Sequence, residues 1–289
     1  MPELNIIYNF IAIILPFEVL QMRFMQQALL GMLLLAPMSA LVGVQVVNFR
    51  MAFFADAISH SAFTGVAIGL ILAISPRWTM PLFGLLVGLA IMYSQRRSLL
   101  SNDTIIGVFF SGIVAFGLAV VSRNGNVARD VQSFLYGDIL TIGDKDIISM
   151  LALLIVLIVF QTIGYNRMLF IGISPVLAKA HRVRVASYQY IYSGLLALVI
   201  ILSVRAVGVL LVTAMLIVPA AAARNFAKTA GGMLWWALLI SIISALIGLI
   251  VSAQPWARTA SGATVVLIAF LWFLVSAVYA HLGGERSRT

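Results

Sequence analysis

Apolar runs of about 20 residues recur along the whole chain. A helix of that length matches the roughly 30 Å hydrocarbon core of a bilayer. Hydrophobic residues make up 63% of the 289 residues and charged residues only 9%, which excludes a soluble globular domain. The sequence therefore predicts an all-α polytopic membrane protein with about eight or nine transmembrane helices. We expect residues 1–289 to form a single transmembrane domain.

The predicted spans follow one another closely. They cover about 25–47, 49–74, 79–95, 104–121, 146–164, 188–203, 207–223, 232–252 and 263–281. Ser75-Pro76-Arg77 is predicted to end the second span. Residues 4–20 are apolar but short and are interrupted by Pro16 and Glu18, which indicates an interfacial or re-entrant segment.

Small residues are frequent within the predicted spans and permit close contact between helices. They include Gly65, Gly69, Gly84, Gly88, Gly107, Gly112 and the run Ala220–Ala223. We expect them to serve the packing of a compact bundle.

The net charge of +9 is best explained by membrane topology, because cytoplasmic loops collect Lys and Arg. Basic residues fall in connections 96–97, 167–184 and 224–228 and in the C-terminal tail. Nine spans then place these connections in the cytoplasm and the polar loop 122–144 outside. The chain lacks Cys, which excludes thiolate metal sites, and it contains no P-loop sequence for binding ATP.

The second span carries Asp56 and His60 inside an apolar run, residues 49–74. An ionisable residue in the membrane is costly and usually serves function, with an insertion cost of about 2.5–3.5 kcal/mol for Asp. Residues i and i+4 of a helix share one face. A carboxylate with an imidazole suits zinc, manganese or ferrous iron. Two ligands bind weakly, as an ion pathway requires. Ser59 and Ser61 are further candidates for supporting the pair, but helical spacing turns them away from it.

Two other interpretations of this pair remain open at this stage. Asp56 and His60 could relay protons, or they could form a buried hydrogen bond that only fixes helix packing.

A basic segment at 166–187 is the second notable feature. Its sequence predicts a short helix with Ser174 as N-cap and Pro175 at the first helical position. A basic, partly amphipathic stretch between spans can contact anionic lipid or dock a cytoplasmic partner. A solvated loop is the simpler alternative.

Three stretches together resemble the metal-ion permeases of ATP-binding-cassette importers for zinc, manganese or iron. They are R-M-x-F-F-x-D-A-I-S-H-x-A-x-x-G-V-A-I-G from Arg50 to Gly69, I-S-P-x-L-A-K-A from Ile173 to Ala180, and V-G-V-L-L-V-x-A-M-L-I-V-P-A-A-x-A-R from Val207 to Arg224. LYGDIL at 135–140 and SGATVV at 261–266 are also similar to family sequences. The resemblance covers nearly the whole chain.

The resemblance implies a permease subunit in the bacterial plasma or inner membrane, with a bundle similar to that of cobalamin and siderophore importers. It implies a homodimer with two cytoplasmic ATPase subunits, and a solute-binding protein that delivers the metal from outside. The permease itself would be a transport subunit and not an enzyme. It would bind no cofactor, since the divalent metal is its substrate.

The resemblance also assigns roles to individual residues. The metal-contacting acid and histidine map onto Asp56 and His60. Contact with the solute-binding protein is expected at Asp130 and Asp138 of the outer loop. Coupling to the ATPase maps onto Ser174, Pro175, Lys179, His181, Arg182 and Arg184. Two of these depart from the family, which commonly has an acid at position 174 and often Gly at 182.

The leading hypothesis is thus an ATP-driven metal importer permease. A proton-coupled secondary transporter that uses Asp56 and His60 as its relay is the alternative. A non-transporting membrane scaffold is a third class, but it leaves the buried acid unexplained.

Overall fold

The structure, a computed structural model, describes residue 8 and residues 22–122, 142–254, 256–257 and 259–286. Throughout these residues the regular structure is helical, and nine helices are long and apolar enough to cross a membrane. The helices are α1 Arg23–Asn48, α2 Ala52–Ile71, α3 Pro76–Arg97, α4 Asn102–Ser122, α5 Asp144–Ile173, α6 Pro175–Ala180, α7 Val185–Val207, α8 Val209–Phe226, α9 Ala230–Ser252 and α10 Ser261–Arg286. Each predicted span coincides with one long helix.

Helices α1 and α2 form the centre of the bundle and are mostly buried. Helix α1 packs against α5, α8 and α9, whereas α2 packs against α3, α4 and α7. Helix α10 covers α8 and α9 from outside. The helix that carries Asp56 is therefore surrounded by protein over most of its circumference.

Glycines allow the closest helix approaches. A Cβ at Gly43 of α1 would lie 2.1 Å from the carbonyl oxygen of Leu216 on α8, and one at Gly248 would lie 2.6 Å from the Cα of Val265. The expectation for Gly107 and Gly112 was wrong within the chain, because a Cβ at either would meet nothing within 4 Å. Sequence cannot make this distinction, since glycine lacks a side chain that would show which way it faces.

Two helix boundaries differ from the prediction. Helix α5 continues past residue 164 to Ile173, because the stretch 168–173 is apolar and contains no proline, and Pro175 disfavours helix only at Ser174. Arg167 therefore lies on α5 and not in a loop. Ser75-Pro76-Arg77 begins α3, with Pro76 at its first helical position.

The end of α1 sets where α2 starts. Arg50 has a φ of 55°, and its N–H donates to the carbonyl of Val47 at 3.2 Å. The N–H of Met51 donates to the carbonyl of Val46 at 2.9 Å. This pair of hydrogen bonds is the Schellman motif, which closes a helix abruptly. Helix α2 can therefore begin at Ala52.

The basic face is the end of the bundle formed by residues 48–51, 97–102, 173–185 and 226–230. Arg96 donates to Gln189 at 2.8 Å, joining the end of α3 to the start of α7. The Tyr165 hydroxyl donates to the carbonyl of Ala230 at 2.6 Å, joining the last part of α5 to the start of α9. Every connection at this end carries Lys or Arg.

A polar network closes the opposite face. The Asp144 carboxylate at the start of α5 accepts hydrogen bonds from Tyr8 at 2.6 Å and Gln27 at 2.9 Å, and it pairs with Arg23 at 3.3 Å. Burial, together with the bond to this carboxylate, raises the pKa of Tyr8 to about 12. The remainder of the predicted segment 4–20, and the loop residues Asp130 and Asp138, lie outside the described residues.

Candidate functional site

Asp56 and His60 lie on one face of α2 and are both half-buried, whereas the intervening residues 57–59 are buried. Asp56 is four residues from the start of α2, so it lies about 6 Å along the helix, and His60 lies about 12 Å along it. The pair thus sits nearer the basic face than the apolar run 49–74 suggested. Among the described acids, none other lies more than one turn inside a helix of membrane-spanning length.

The surroundings of the pair leave its polar atoms available. The His60 ring meets the Phe110 ring of α4 edge-on, with centroids 5.1 Å apart at 87°. In the described part of the chain, no hydrogen bond or ion pair involves Asp56 or His60. The packing alternative, a hydrogen bond between these two side chains, is therefore not what the structure contains.

The pair presents two groups of the kinds that bind metals, a carboxylate and an imidazole. Over the described ranges, no group of three or more His, Asp or Glu residues could hold an ion. Structural metal sites usually have four protein ligands. Ser59 and Ser61 are fully buried and do not share the face, and Ser61 donates to the carbonyl of Ile58 at 2.6 Å. Among the residues that the structure describes, no further His, Asp or Glu joins the pair.

The short helix predicted in the basic segment is present as α6. The Ser174 Oγ accepts a hydrogen bond from the N–H of Leu177 at 3.3 Å, and Pro175 occupies the first helical position. Serine and aspartate are about equally good N-caps. The first departure from the family is therefore explained, because Ser174 can do the capping that an acid does.

The second departure also has a backbone explanation. Arg182 has a φ of 59°, its N–H donates to the carbonyl of Lys179 at 2.9 Å, and the N–H of Val183 donates to the carbonyl of Ala178 at 3.0 Å. This is again a Schellman motif, whose left-handed position glycine adopts without strain. The chain therefore holds arginine in a conformation that disfavours it.

The apolar patch on α6, which consists of Val176 and Leu177 of α6 with Ile173 at the adjoining end of α5, was not predicted from the sequence. Ile173, Val176 and Leu177 are 79%, 76% and 52% exposed, respectively, in a segment that carries basic residues. Exposed apolar patches commonly mark interaction sites. The signal was present as three apolar residues within a basic connection, but only the fold shows that they share an uncovered surface.

The predicted coupling residues divide between two surfaces. Lys179 lines a cavity of about 220 Å³ together with Arg96 and Gln189. Arg182 and Arg184 line a different cavity, of about 720 Å³, between α5 and α7. His181 is exposed, and its ring packs on that of Phe170 with centroids 5.2 Å apart. The basic segment thus presents more than one surface.

The helices of membrane-spanning length define the chain as a multi-pass membrane protein. Residues 21–280 match the ABC 3 transport family, and the chain belongs to that family. The predicted resemblance is thereby confirmed, as is the expectation of a transport component that is not an enzyme.

Three comparisons illustrate the relationship. The chain is 36% identical to the high-affinity zinc uptake system membrane protein ZnuB of Haemophilus influenzae, over 86% of this chain and 95% of that protein. It is 32% identical to the manganese import system permease protein ScaB of Streptococcus gordonii, over 88% and 90%. The solved structure of PsaBC from Streptococcus pneumoniae in complex with Fab matches with a TM-score of 0.75 and 29% identity, over 88% of this chain and 91% of that one.

Proposed function

We propose that the chain is the membrane permease of an ATP-driven importer of divalent transition-metal ions, namely zinc, manganese or iron. Family membership supports this, as do relatives named for zinc uptake and manganese import. The chain has no P-loop, so a separate cytoplasmic ATP-binding-cassette subunit would hydrolyse ATP. A solute-binding protein would deliver the metal at the face opposite the basic face.

The observation that carries this proposal is the half-buried Asp56–His60 pair with unpaired polar atoms. Its oxygen and nitrogen donors suit transition metals better than Mg²⁺ or Ca²⁺. Two protein ligands hold an ion loosely, which lets it leave again. The pair lies about 6 and 12 Å along α2 from the basic face. A metal moving inward would therefore meet it late in its passage.

The ATPase would dock on α6. The exposed apolar patch of Ile173, Val176 and Leu177 would bury against it, while Lys179 would meet acidic groups of the partner. Ser174 and Pro175 fix the start of α6, and only Ser174 separates α6 from α5. A displacement of α6 by the ATPase would therefore move the end of α5. The other predicted coupling residues come directly after the end of α6 in the chain, namely His181, Arg182 and Arg184.

A second copy of the chain would pack against α4. Gly107, Ser111, Ala115 and Ala119 are exposed at a spacing of four residues, which supports close helix contact. Phe110 on the same helix contacts His60. A dimer formed here would place the second copy near the pair, where it could help to enclose the ion. Because the chain has no native Cys, Ser111→Cys would report this contact by disulfide crosslinking, and Ile155→Cys on the exposed surface of α5 would serve as control.

Reconstituted vesicles test the function. Metal uptake should require the ATPase subunit and ATP, and an ATPase-inactive complex should take up none. Uptake that persists without hydrolysis and follows an imposed pH gradient would instead support the proton-coupled alternative. Competition among zinc, manganese and ferrous iron, with and without His60, would identify the substrate.

A further inference from the structure

A cleft between α5 and α7 opens at the basic face and encloses about 720 Å³. We call it the α5–α7 cleft. Its upper walls are apolar and include Val159 and Ile163 from α5 and Ile191 and Leu195 from α7. On each helix the lining residues recur at helical spacing, so one face of each helix forms a wall. Both helices are long enough to span a membrane, and Ile163 and Ile191 are 64% and 51% exposed, so the cleft opens on the outer surface of the helix bundle.

The cleft has the depth of one leaflet. Its lining on α5 runs from Val156 to Arg167, twelve residues, and the eleven rises between them amount to about 16 Å along a helix. Half of the hydrocarbon core is about 15 Å thick. An acyl chain anchored at the basic face would therefore lie along the apolar walls for the full thickness of its leaflet.

The mouth of the cleft is cationic. Arg167, Arg182 and Arg184 line it, and no acid does. Arg167 donates to the hydroxyl of Tyr188, and its guanidinium lies 5.5 Å from the centroid of that ring, so it is held at the mouth. Arg182 and Arg184 are exposed, and in the described part of the chain neither side chain has an ion-pair or hydrogen-bond partner. Basic pockets between helices at the cytoplasmic end are typical sites for anionic headgroups.

The backbone at Arg182 strengthens the case for a role of its charge. The residue occupies the left-handed position of a Schellman motif, where glycine would be free of strain. Non-glycine residues with such a backbone cluster at functional sites, although Arg50 and Ala73 of this chain adopt it as well. A strained arginine at the mouth of a cationic cleft is accounted for if its guanidinium binds an anion.

We propose that the α5–α7 cleft binds an anionic phospholipid of the leaflet at the basic face. The phosphate would lie among Arg167, Arg182 and Arg184, and one acyl chain would follow the apolar walls. This site requires only that α5 and α7 span the membrane, so it does not depend on the transported substrate.

To test this proposal, the complete transporter is equilibrated in phosphatidylcholine vesicles that contain phosphatidylglycerol. Native mass spectrometry then measures how much phosphatidylglycerol the transporter retains. Arg182→Gly should lower the retained phosphatidylglycerol about fivefold, the contribution of one arginine near a membrane surface. It should fold at least as well as the wild type, since glycine suits this backbone. Arg97→Gln, which removes an exposed charge at the same face outside the cleft, should leave retention unchanged.

A second pair of variants tests the acyl chain. Ile163→Trp fills the cleft and should reduce phosphatidylglycerol retention with all three arginines in place. Ile155→Trp is the matched control on α5, since Ile155 is exposed to a similar degree, 55% against 64%, and lies outside the cleft. It should retain the lipid.

Several results would overturn the lipid site. One is equal retention in the cleft variants and the wild type. Another is sensitivity to the arginine but not to Ile163→Trp, which would indicate a phosphate group without a bound acyl chain. A third is loss of the copurifying ATPase, with lipid retained, on removing Arg182, because the arginines would then face that subunit. Transport assays are separate measurements, so failure here leaves the proposed function to its own test.

Discussion

The close contact between α1 and α8 predicts how much Gly43→Ala destabilises the protein. A Cβ at Gly43 would lie 2.1 Å from the Leu216 carbonyl oxygen, whereas ordinary contact begins near 3.4 Å. The two helices would have to separate by about 1.3 Å, because the obstructing atom belongs to the backbone and cannot rotate away. Overpacking of this kind costs about 1–3 kcal/mol or more. The gain in helix propensity from Gly to Ala, about 1 kcal/mol, offsets only part of it.

Gly43→Ala is therefore expected to lower the thermal unfolding temperature of the detergent-solubilised protein by several degrees, at about 2–4 °C per kcal/mol. Gly231→Ala on α9 is the matched control, because a Cβ there also meets nothing within 4 Å and Gly231 lies outside the α4 face where a second copy would pack. It should leave the temperature unchanged or raise it slightly. Equal shifts of the same sign in the two variants would refute the close approach of α1 and α8.

Three further predictions concern the coupling segment and the opposite face. Ser174→Ala removes the N-cap of α6, worth about 1 kcal/mol, and should raise ATP hydrolysis relative to metal uptake, whereas Ser174→Asp should behave as the wild type; equal coupling in both variants would contradict the capping role. Val176→Ser and Lys179→Glu should each weaken ATPase binding in a pull-down without changing the unfolding temperature, and undiminished binding would argue against docking on α6. Asp144→Asn weakens a charge-assisted hydrogen-bond network and should lower stability by about 1–2 kcal/mol, measured by thermal unfolding; no change would show that this network does not hold α1 to α5.

The spans could be predicted because burial in lipid imposes length and composition on every crossing helix. The helix ends were less certain, since the apolar pattern alone does not mark where a helix stops. At Ser75-Pro76 and at Ser174-Pro175 the proline is the first residue of a helix, but four residues separate α2 from α3, whereas only Ser174 separates α5 from α6. Helix packing was predictable only in general, as the contrast between Gly43 and Gly107 shows.

The Asp56–His60 pair was identified from the sequence because an acid in an apolar run is rare and costly. The distance of the pair from the basic face was not predicted. It depends on where α2 starts, and the tight turn at Arg50 places that start at Ala52. The apolar patch on α6 and the α5–α7 cleft also escaped sequence reasoning. The residues of the patch are neighbours in the chain, but only the fold shows that they are exposed, and the cleft is formed by residues of two different helices.

Metal uptake by the variant Asp56→Asn tests whether the Asp56 carboxylate contacts the transported ion in the membrane. The substitution removes the charge of the Asp56 carboxylate and keeps the side chain nearly the same size. Neither oxygen of the Asp56 carboxylate takes part in a described hydrogen bond, so folding and ATPase binding should be retained. In vesicles supplied with ATP, we expect this variant to take up no zinc, manganese or ferrous iron while the transporter complex remains assembled. Uptake at the wild-type rate by this variant would contradict the assignment of Asp56 as the ion's contact in the membrane.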